Sequence, residues 1–529
     1  MPIKVIDLFA GCGGLGEGFS AVKNQTNRAY EVCLSIDSDS YACKSLRLRK
    51  FFWEFKSAPK SYYDYLRGNI SLDQLIAKHP REWARAESKV VQAELGDNSF
   101  TDEDLPALIR KKLGRARNWV LVGGPPCQAY STAGRAKNRS NKDYRAEDDG
   151  RHFLYQQFLK VIAEHAPPVF LMENVEGLTS STVGQQKIFS KMLEDLTDPA
   201  KAIGFEKTHA GEGSEYRLFS VCRPTQFGMF RELVGDPSTY VVNSEEFGIP
   251  QSRARVFLLG VRLDIKGKPR LLAPAEHRIS VKETISDLPR LRSALSSEDN
   301  KENWLRGIRD AQRAEWMTQL RKQGREELCE RIVSITNRVG CPRSGIGGRF
   351  VKGQRKPKYL PSWYHDPRLG GSCNHDSRSH MLSDLHRYLF AATEIQLRED
   401  MLPRNRRGRV AALSVRDFPS SLLPNHKNIQ ETNGRTSVPN KDRFKVQQAS
   451  APANTIMSHI AKDGHYYIHY DPTQCRSLTV REAARLQTFP DNYFFEGPRG
   501  AAYRQVGNAV PPLLSHQIAK LIEHLLNTQ

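Results

Sequence analysis

Four short apolar, β-branched runs end on glycine-rich or acidic segments, with helix-patterned stretches between them, and this alternation limits the possible folds more than any other feature. Ile3 to Phe9 leads into Ala10-Gly11-Cys12-Gly13-Gly14-Leu15-Gly16. Val32 to Ile36 ends on Asp37, and Val120 to Val122 runs into Gly123-Gly124-Pro125-Pro126-Cys127. Val169 to Met172 ends on Glu173-Asn174-Val175. A helix is predicted over Phe153 to His165, because Phe153, Leu154, Phe158, Val161 and Ile162 recur at helical spacing. Continuous apolar strands alternating with helices build a sheet covered on both faces. The expected class is therefore α/β, with a doubly wound, mostly parallel sheet. Such sheets bind ligands at the carboxyl ends of their strands, where all four terminal segments would meet.

With 529 residues the chain exceeds the size at which one core stops growing, so at least two domains are expected. A fifth strand, Arg255 to Val261, follows Gln251-Ser252-Arg253-Ala254-Arg255. From about Lys266 to Cys475 the sequence turns basic and irregular, as in Gly345 to Lys358 and Arg404 to Arg409. Trp363, Tyr364, Leu385, Tyr388, Leu389 and Phe390 give that stretch apolar anchors. Regular patterning returns with a helix at Thr479 to Gln487 and another at Leu513 to Leu526, where Leu514, Ile518, Leu521, Ile522 and Leu525 form one stripe. The division expected is a catalytic domain at 1–265 with a charged, aromatic, helical insertion at about 44–95. A basic, irregular α+β domain follows at 266–475, and residues 476–529 return to the first domain.

The net charge of +20 makes a polyanion the natural partner, nucleic acid first. The nine cysteines are odd in number and contain no CxxC pair, which favours a reducing cytoplasm. No apolar run approaches the ~20 residues of a membrane span, so no membrane partner is expected. Cys341, Cys373, His375 and His380 fit no standard zinc spacing, and no metal is expected.

Two motifs carry chemistry by themselves. Gly11 to Gly16 matches G-x-G-x-x-G directly after a strand, with Asp37 about 20 residues beyond it. Glycines there let a cofactor approach the backbone, and the acid can hold ribose hydroxyls. Nicotinamide, flavin and adenosyl cofactors all use that geometry. In the third segment, two glycines and two prolines stop the strand and fix the backbone, which makes Cys127 a candidate nucleophile.

In series, the blocks resemble the DNA (cytosine-5) methyltransferase family. They are Asp7 to Gly14, Pro125-Pro126-Cys127-Gln128, Glu173-Asn174-Val175, Gln251 to Arg255, Arg476 to Pro490, and Gln505-Val506-Gly507-Asn508-Ala509-Val510-Pro511-Pro512. All six stand in that family's order, and the variable basic stretch lies where the family keeps its target recognition domain. The resemblance implies a Rossmann-like class I fold, S-adenosyl-L-methionine as cofactor and a flipped-out cytosine in a specific duplex DNA sequence as substrate. It makes Cys127 the nucleophile that adds to carbon 6, and Glu173 the acid at N3, which requires Glu173 to be largely protonated. Arg253 and Arg255 become the arginines that orient the base and hold the cysteine loop.

For the cofactor, the resemblance implies Phe9 on the adenine, the backbone of Gly11, Cys12, Gly13 and Gly14 at the methionine part, and Asp37 with Ser38 at the ribose. Asp97 and Asn98 fall where the family reads the adenine amino group, although the family more often has an apolar residue in place of Asn98. Pro126, Leu154, Asn508 and Val510 would close the site. Gln128 and Ser131 would touch the opened duplex, and unassigned basic residues of 266–475 would read it. The setting implied is bacterial and cytoplasmic, at the nucleoid when bound, with the enzyme a monomer on DNA and a restriction or defence system as its context. RNA methylation, as in the tRNA-methylating relatives, is the main alternative; the long recognition segment favours DNA. An oxidoreductase built on the glycine loop and a catalytically silent DNA-binding homologue are the others.

Overall fold

A computed structural model describes residues 2–25, 27–97, 100, 103–126, 151–183, 186–204, 215–227, 233–234, 236–353, 355–403, 408–424 and 443–528. At its centre is an eight-stranded sheet. Its strands are β1 (Ile3–Leu8), β2 (Tyr30–Asp37), β3 (Val90–Gln92), β4 (Trp119–Gly123), β5 (Val169–Val175), β6 (Tyr216–Phe219), β7 (Val241–Asn243) and β8 (Ala254–Arg262). The order is β6-β8-β5-β4-β1-β2-β3, with β7 also paired to β8. β3, β2, β1, β4 and β5 run parallel. β8 lies antiparallel to β5, β6 and β7. The chain leaves β1 towards β2 on one side and returns through β4 on the other, so the topological switch point lies between β1 and β4.

Alternation along the strands explains the two covered faces. Val5, Val120 and Val122 point to one side, where α1 (Gly14–Ser20) and α14 (Pro512–Asn527) supply Leu15, Phe19, Leu514, Ile518 and Ile522. Ile6 and Leu121 point to the other, against Leu105 and Ile109 of α6 (Asp104–Leu113) and Phe158 and Ile162 of α7 (Arg151–His165).

The insertion is helical through α2 (Ser40–Trp53), α3 (Lys60–Arg67), α4 (Leu72–Lys78) and α5 (Pro80–Glu87). It stops short of residue 95, because Val90–Gln92 joins the main sheet as the edge strand β3. The basic stretch is more helical than its composition implies. It contains α8 (Lys301–Asp310), α9 (Glu315–Lys322), α10 (Glu326–Arg338) and α11 (Leu382–Asp400), around a core of Trp304, Trp316, Leu320, Ile332, Leu389 and Phe390. A hairpin of β9 (Gly347–Lys352) and β10 (Gly371–Asp376) stands beside them.

The C-terminal segment begins with α12 (Val480–Leu486), set by a capping box in which Thr479 Oγ1 accepts from Glu482 N at 3.2 Å and Glu482 Oε2 accepts from Thr479 N at 2.8 Å. α13 (Arg499–Asn508) and α14 follow. Among the described residues, no helix is long and apolar enough to cross a membrane.

Candidate active site

The carboxyl ends of β1, β2, β4 and β5 open on a cavity of about 1020 Å³. At one end stands the glycine loop. Phe9, directly after β1, has φ 57°, a left-handed conformation uncommon for a bulky residue. The turn that follows is fastened to β2, since Ala10 N donates to Ile36 O at 3.0 Å and Gly11 N to Asp37 Oδ2 at 2.7 Å. Asp37 Oδ1 also accepts from Asp39 N at 2.9 Å. Burial raises the Asp37 pKa, and these two backbone bonds oppose the rise. The carboxylate keeps lone pairs for a further donor. A Cβ built on Gly11 would meet nothing within 4 Å, so the backbone here presents an open face.

Beneath the loop, Asp7 is fully buried. Burial raises its pKa to about 7, opposed by the charge of Lys50, which burial in turn lowers to about 8.

At the other end, antiparallel pairing sets Arg255 opposite Val175 and Phe257 opposite Glu173, which makes Arg255 and Glu173 diagonal neighbours on one face. Arg255 Nε lies 3.2 Å from Glu173 Oε1. Burial lowers the Arg255 pKa, and the glutamate charge counters it. Glu173 lies against the loop that precedes Cys127: a Cβ at Gly124 would sit 3.0 Å from its Oε2. Asn174 secures that loop by donating from Nδ2 to Pro125 O at 3.1 Å, and it accepts from Val175 N at 2.8 Å.

Arg253 plays a more structural part than the sequence implies. Its Nη1 donates to Ile456 O at 2.9 Å, and both Nη atoms reach Gly507 O at 3.4 Å, joining the turn before β8 to both the end of the basic stretch and the C-terminal segment. Burial, then the neighbouring Arg255, pushes its pKa well down.

The far wall comes from α13 and the turn after it, Ala509 and Val510, with α14 packed on α1 behind them. Cys12 Sγ donates to Gln505 O at 3.3 Å, and Ser515 Oγ donates to Leu15 O at 2.8 Å. A Cβ at Gly14 would fall 2.2 Å from Val510 O, and one at Gly18 would fall 2.5 Å from both Pro512 O and His516 N. Only glycines allow α1 to approach α14 this closely.

Of the residues singled out in the sequence, Phe9, Gly11, Cys12, Gly14, Asp37, Ser38, Pro126, Leu154, Glu173, Arg253, Arg255, Asn508 and Val510 line this single cavity. Gly13 does not; its Cα faces Leu46, 2.6 Å from where a Cβ would stand. Asp97 is exposed and off the lining, which on that side is Ala93, Glu94 and Leu95, so the acid present there is Glu94. Cys127, Gln128, Ser131 and Asn98 lie outside the described residues.

Sequence reasoning also missed Thr455, Met457, Ser458 and Arg504, which line the cavity from the C-terminal side. All four stand outside the blocks of the series and carry no motif, although Arg504 directly precedes the last block. His375, weighed for zinc, instead bonds Thr479 Oγ1 at 2.9 Å and Pro289 O at 2.8 Å through its two ring nitrogens. Cys373 Sγ donates to Leu66 O at 3.7 Å.

A doubly wound sheet whose switch-point cavity joins an acid-fastened glycine loop to a glutamate–arginine pair defines an enzyme of the α/β class. The chain belongs to the C-5 cytosine-specific DNA methylase family, whose model matches residues 85–202 and 228–524. By class it is a DNA (cytosine-5-)-methyltransferase. It is 28% identical over 547 residues to the type II methyltransferase M.Bpa9945I of Bacillus paralicheniformis, covering 99% of each chain. It is 26% identical over 549 residues to the type II methyltransferase M.AgeI of Thalassovita gelatinovora, covering 98% of this chain and 99% of that one. It is 25% identical over 434 residues to the DNA (cytosine-5-)-methyltransferase M.ApeKI of Aeropyrum pernix, covering 77% and 81%.

Proposed function

We propose that the chain methylates carbon 5 of a cytosine flipped out of a specific duplex DNA sequence, with S-adenosyl-L-methionine as donor and Cys127 as covalent nucleophile, to mark DNA in a restriction or defence system. One observation carries the reading: a single cavity joins the glycine loop and Asp37 to Pro126, Glu173 and Arg255.

The cofactor end fits an adenosyl group. Phe9 and Leu154 offer apolar faces, Asp37 an acceptor for ribose hydroxyls, and Gly11 an uncovered backbone for the methionine part, with Asn508 opposite. S-adenosylmethionine, when bound, supplies an electrophilic methyl group.

The protein's own residues supply the rest. Carbon 5 of cytosine is a poor nucleophile. Addition of the Cys127 thiolate to carbon 6 forms a sulfur–carbon bond and drives electron density towards carbon 5. Glu173 donates to N3 as that density develops, and Arg255 holds the carboxyl group in place. After methylation, loss of the carbon 5 proton and cleavage of the sulfur–carbon bond restore the ring and free the thiolate. Residues 266–475, with a core and basic surface of their own, form the target recognition domain in this reading, where arginines hold phosphates and read guanine in the major groove.

Transfer of labelled methyl from S-adenosylmethionine to mixed-sequence duplex DNA tests the proposal, with tRNA and Cys127→Ala in parallel. Labelled DNA carrying 5-methylcytosine, and no label with Cys127→Ala, is expected. Labelled tRNA with silent DNA would overturn the choice of substrate.

A further inference from the structure

Among the described residues, the exposed large apolar side chains are Leu271, Ile346, Met381, Leu382, Met401 and Met457. Single apolar residues on a surface need no explanation. Met457 differs because it alone of these lines the cavity at the strand ends, while the residue stays 46 % exposed.

Its backbone is held on several sides. Met457 N donates to the Tyr467 hydroxyl at 3.2 Å. The preceding residue, Ile456, accepts from Arg253 Nη1 at 2.9 Å and donates to Gln251 Oε1 at 2.8 Å. Behind it, helix α13 presses on the Met457–Ser458 peptide, since a Cβ at Gly507 would lie 2.3 Å from Met457 C and Ser458 N. A fixed backbone therefore carries a flexible, polarizable side chain at the mouth of the cavity. Arg504, exposed on α13, lines the same mouth and offers a cation to a passing phosphate.

We infer that Met457 is the apolar side chain that packs into the duplex where the target base has left the stack, a positioning residue for base extrusion. This rests on the methylation reading above. Methionine is among the side chains that serve as wedges between base steps. Extrusion costs a few kcal/mol of unpairing and unstacking, less where the target base is already unpaired. A side chain that offsets this cost matters most when the target is fully paired. One that only shapes the cavity matters equally for both.

Once product sequencing has given the methylated sequence, kcat/KM is compared on two duplexes: one with the target cytosine paired to guanine, one with it opposite an abasic position. Met457→Ala is expected to lower kcat/KM about tenfold on the paired duplex and less than about twofold on the other. Met457→Leu should recover most of the loss, and Met401→Ala, at an exposed methionine off the cavity, should change neither. Equal losses on both duplexes, or none on the paired one, would overturn the inference and leave methylation standing. A parent chain that labels neither duplex would overturn both.

Discussion

Gly14 and Gly18 decide whether the cofactor cavity has a far wall. Alanine in a helix interior normally stabilises relative to glycine, by roughly 0.5–1 kcal/mol. At Gly18 the sign reverses, because the added carbon would stand 2.5 Å from backbone atoms of Pro512 and His516, which cannot swing aside. Overpacking of this kind costs about 1–3 kcal/mol, so the clash outweighs the helix gain. Gly18→Ala is expected to lower stability by about 1–2 kcal/mol. It should also weaken S-adenosylmethionine binding, because Asn508 and Val510 move with α14; thermal unfolding and calorimetric titration would measure the two effects. Asp7 illustrates the opposite limit on what residues reveal. Its place in the glycine-loop block was plain, but its burial with Lys50 depends on a helix that begins over thirty positions later and on the sheet above it.

At the scale of elements, the five strands and the helices at 151–165, 480–486 and 512–527 were legible because their apolar spacing is local and clean. The helices of the basic stretch were not. α8, α9 and α10 bury Trp304 with Ile308, Trp316 with Leu320, and Leu328 with Ile332, all at helical spacing, but dense charges on their outer faces mask the periodicity. The role of the insertion was illegible too, since it comes from contacts with segments about 300 residues away. Tyr63 donates to Asp366 Oδ2 at 2.5 Å, and Arg67 Nε donates to Leu369 O at 3.1 Å. The Arg349 guanidinium, on β9, lies 4.8 Å from the Tyr65 ring and 4.4 Å from that of Phe494. The insertion thus braces the hairpin against the catalytic body through α2, whose Arg49 pairs with Glu17 at 2.5 Å. Arg349→Ala should cost about 1–2 kcal/mol, from the two exposed cation–π contacts and the hydrogen bond its Nη2 donates to Tyr65 O at 3.0 Å. On the proposal that the basic stretch reads DNA, KM for DNA should rise while S-adenosylmethionine affinity holds; steady-state kinetics and titration would separate the two.

Across the whole molecule, buried histidines set the response to acid. Burial lowers the pKa of His375 and His469 to about 4 and of His380 to about 3, and the three contact Thr479, Glu482 and Ser477, where the basic stretch meets the C-terminal segment. A histidine with a depressed folded pKa stabilises the fold above its unfolded value near 6.5, and that stability is lost as pH falls towards 4. Glu482, held well below the carboxylate range chiefly by Arg476 against burial, acts in the same direction at lower pH. Asp7 opposes them: its raised pKa favours the fold at low pH and loses that benefit as pH rises from about 4 to 7. Burial likewise depresses His165, His386, His465 and His516 and raises Asp37 and Glu496; seven histidines among the described residues outweigh three acids, so the unfolding temperature should fall steadily from pH 6.5 to 4. A midpoint that stays flat or rises over that range would refute this balance.

The contact between α1 and α14 also orders events in time. Ser515 reaches Leu15 across 500 positions of sequence, so a nascent chain emerging from the ribosome carries a sheet and a glycine loop but no finished cofactor chamber. Contacts of such long sequence separation form late and slowly. A helix made some 500 positions after the glycine loop clamps the turn beside it, and a product cut short of that helix would lack the clamp.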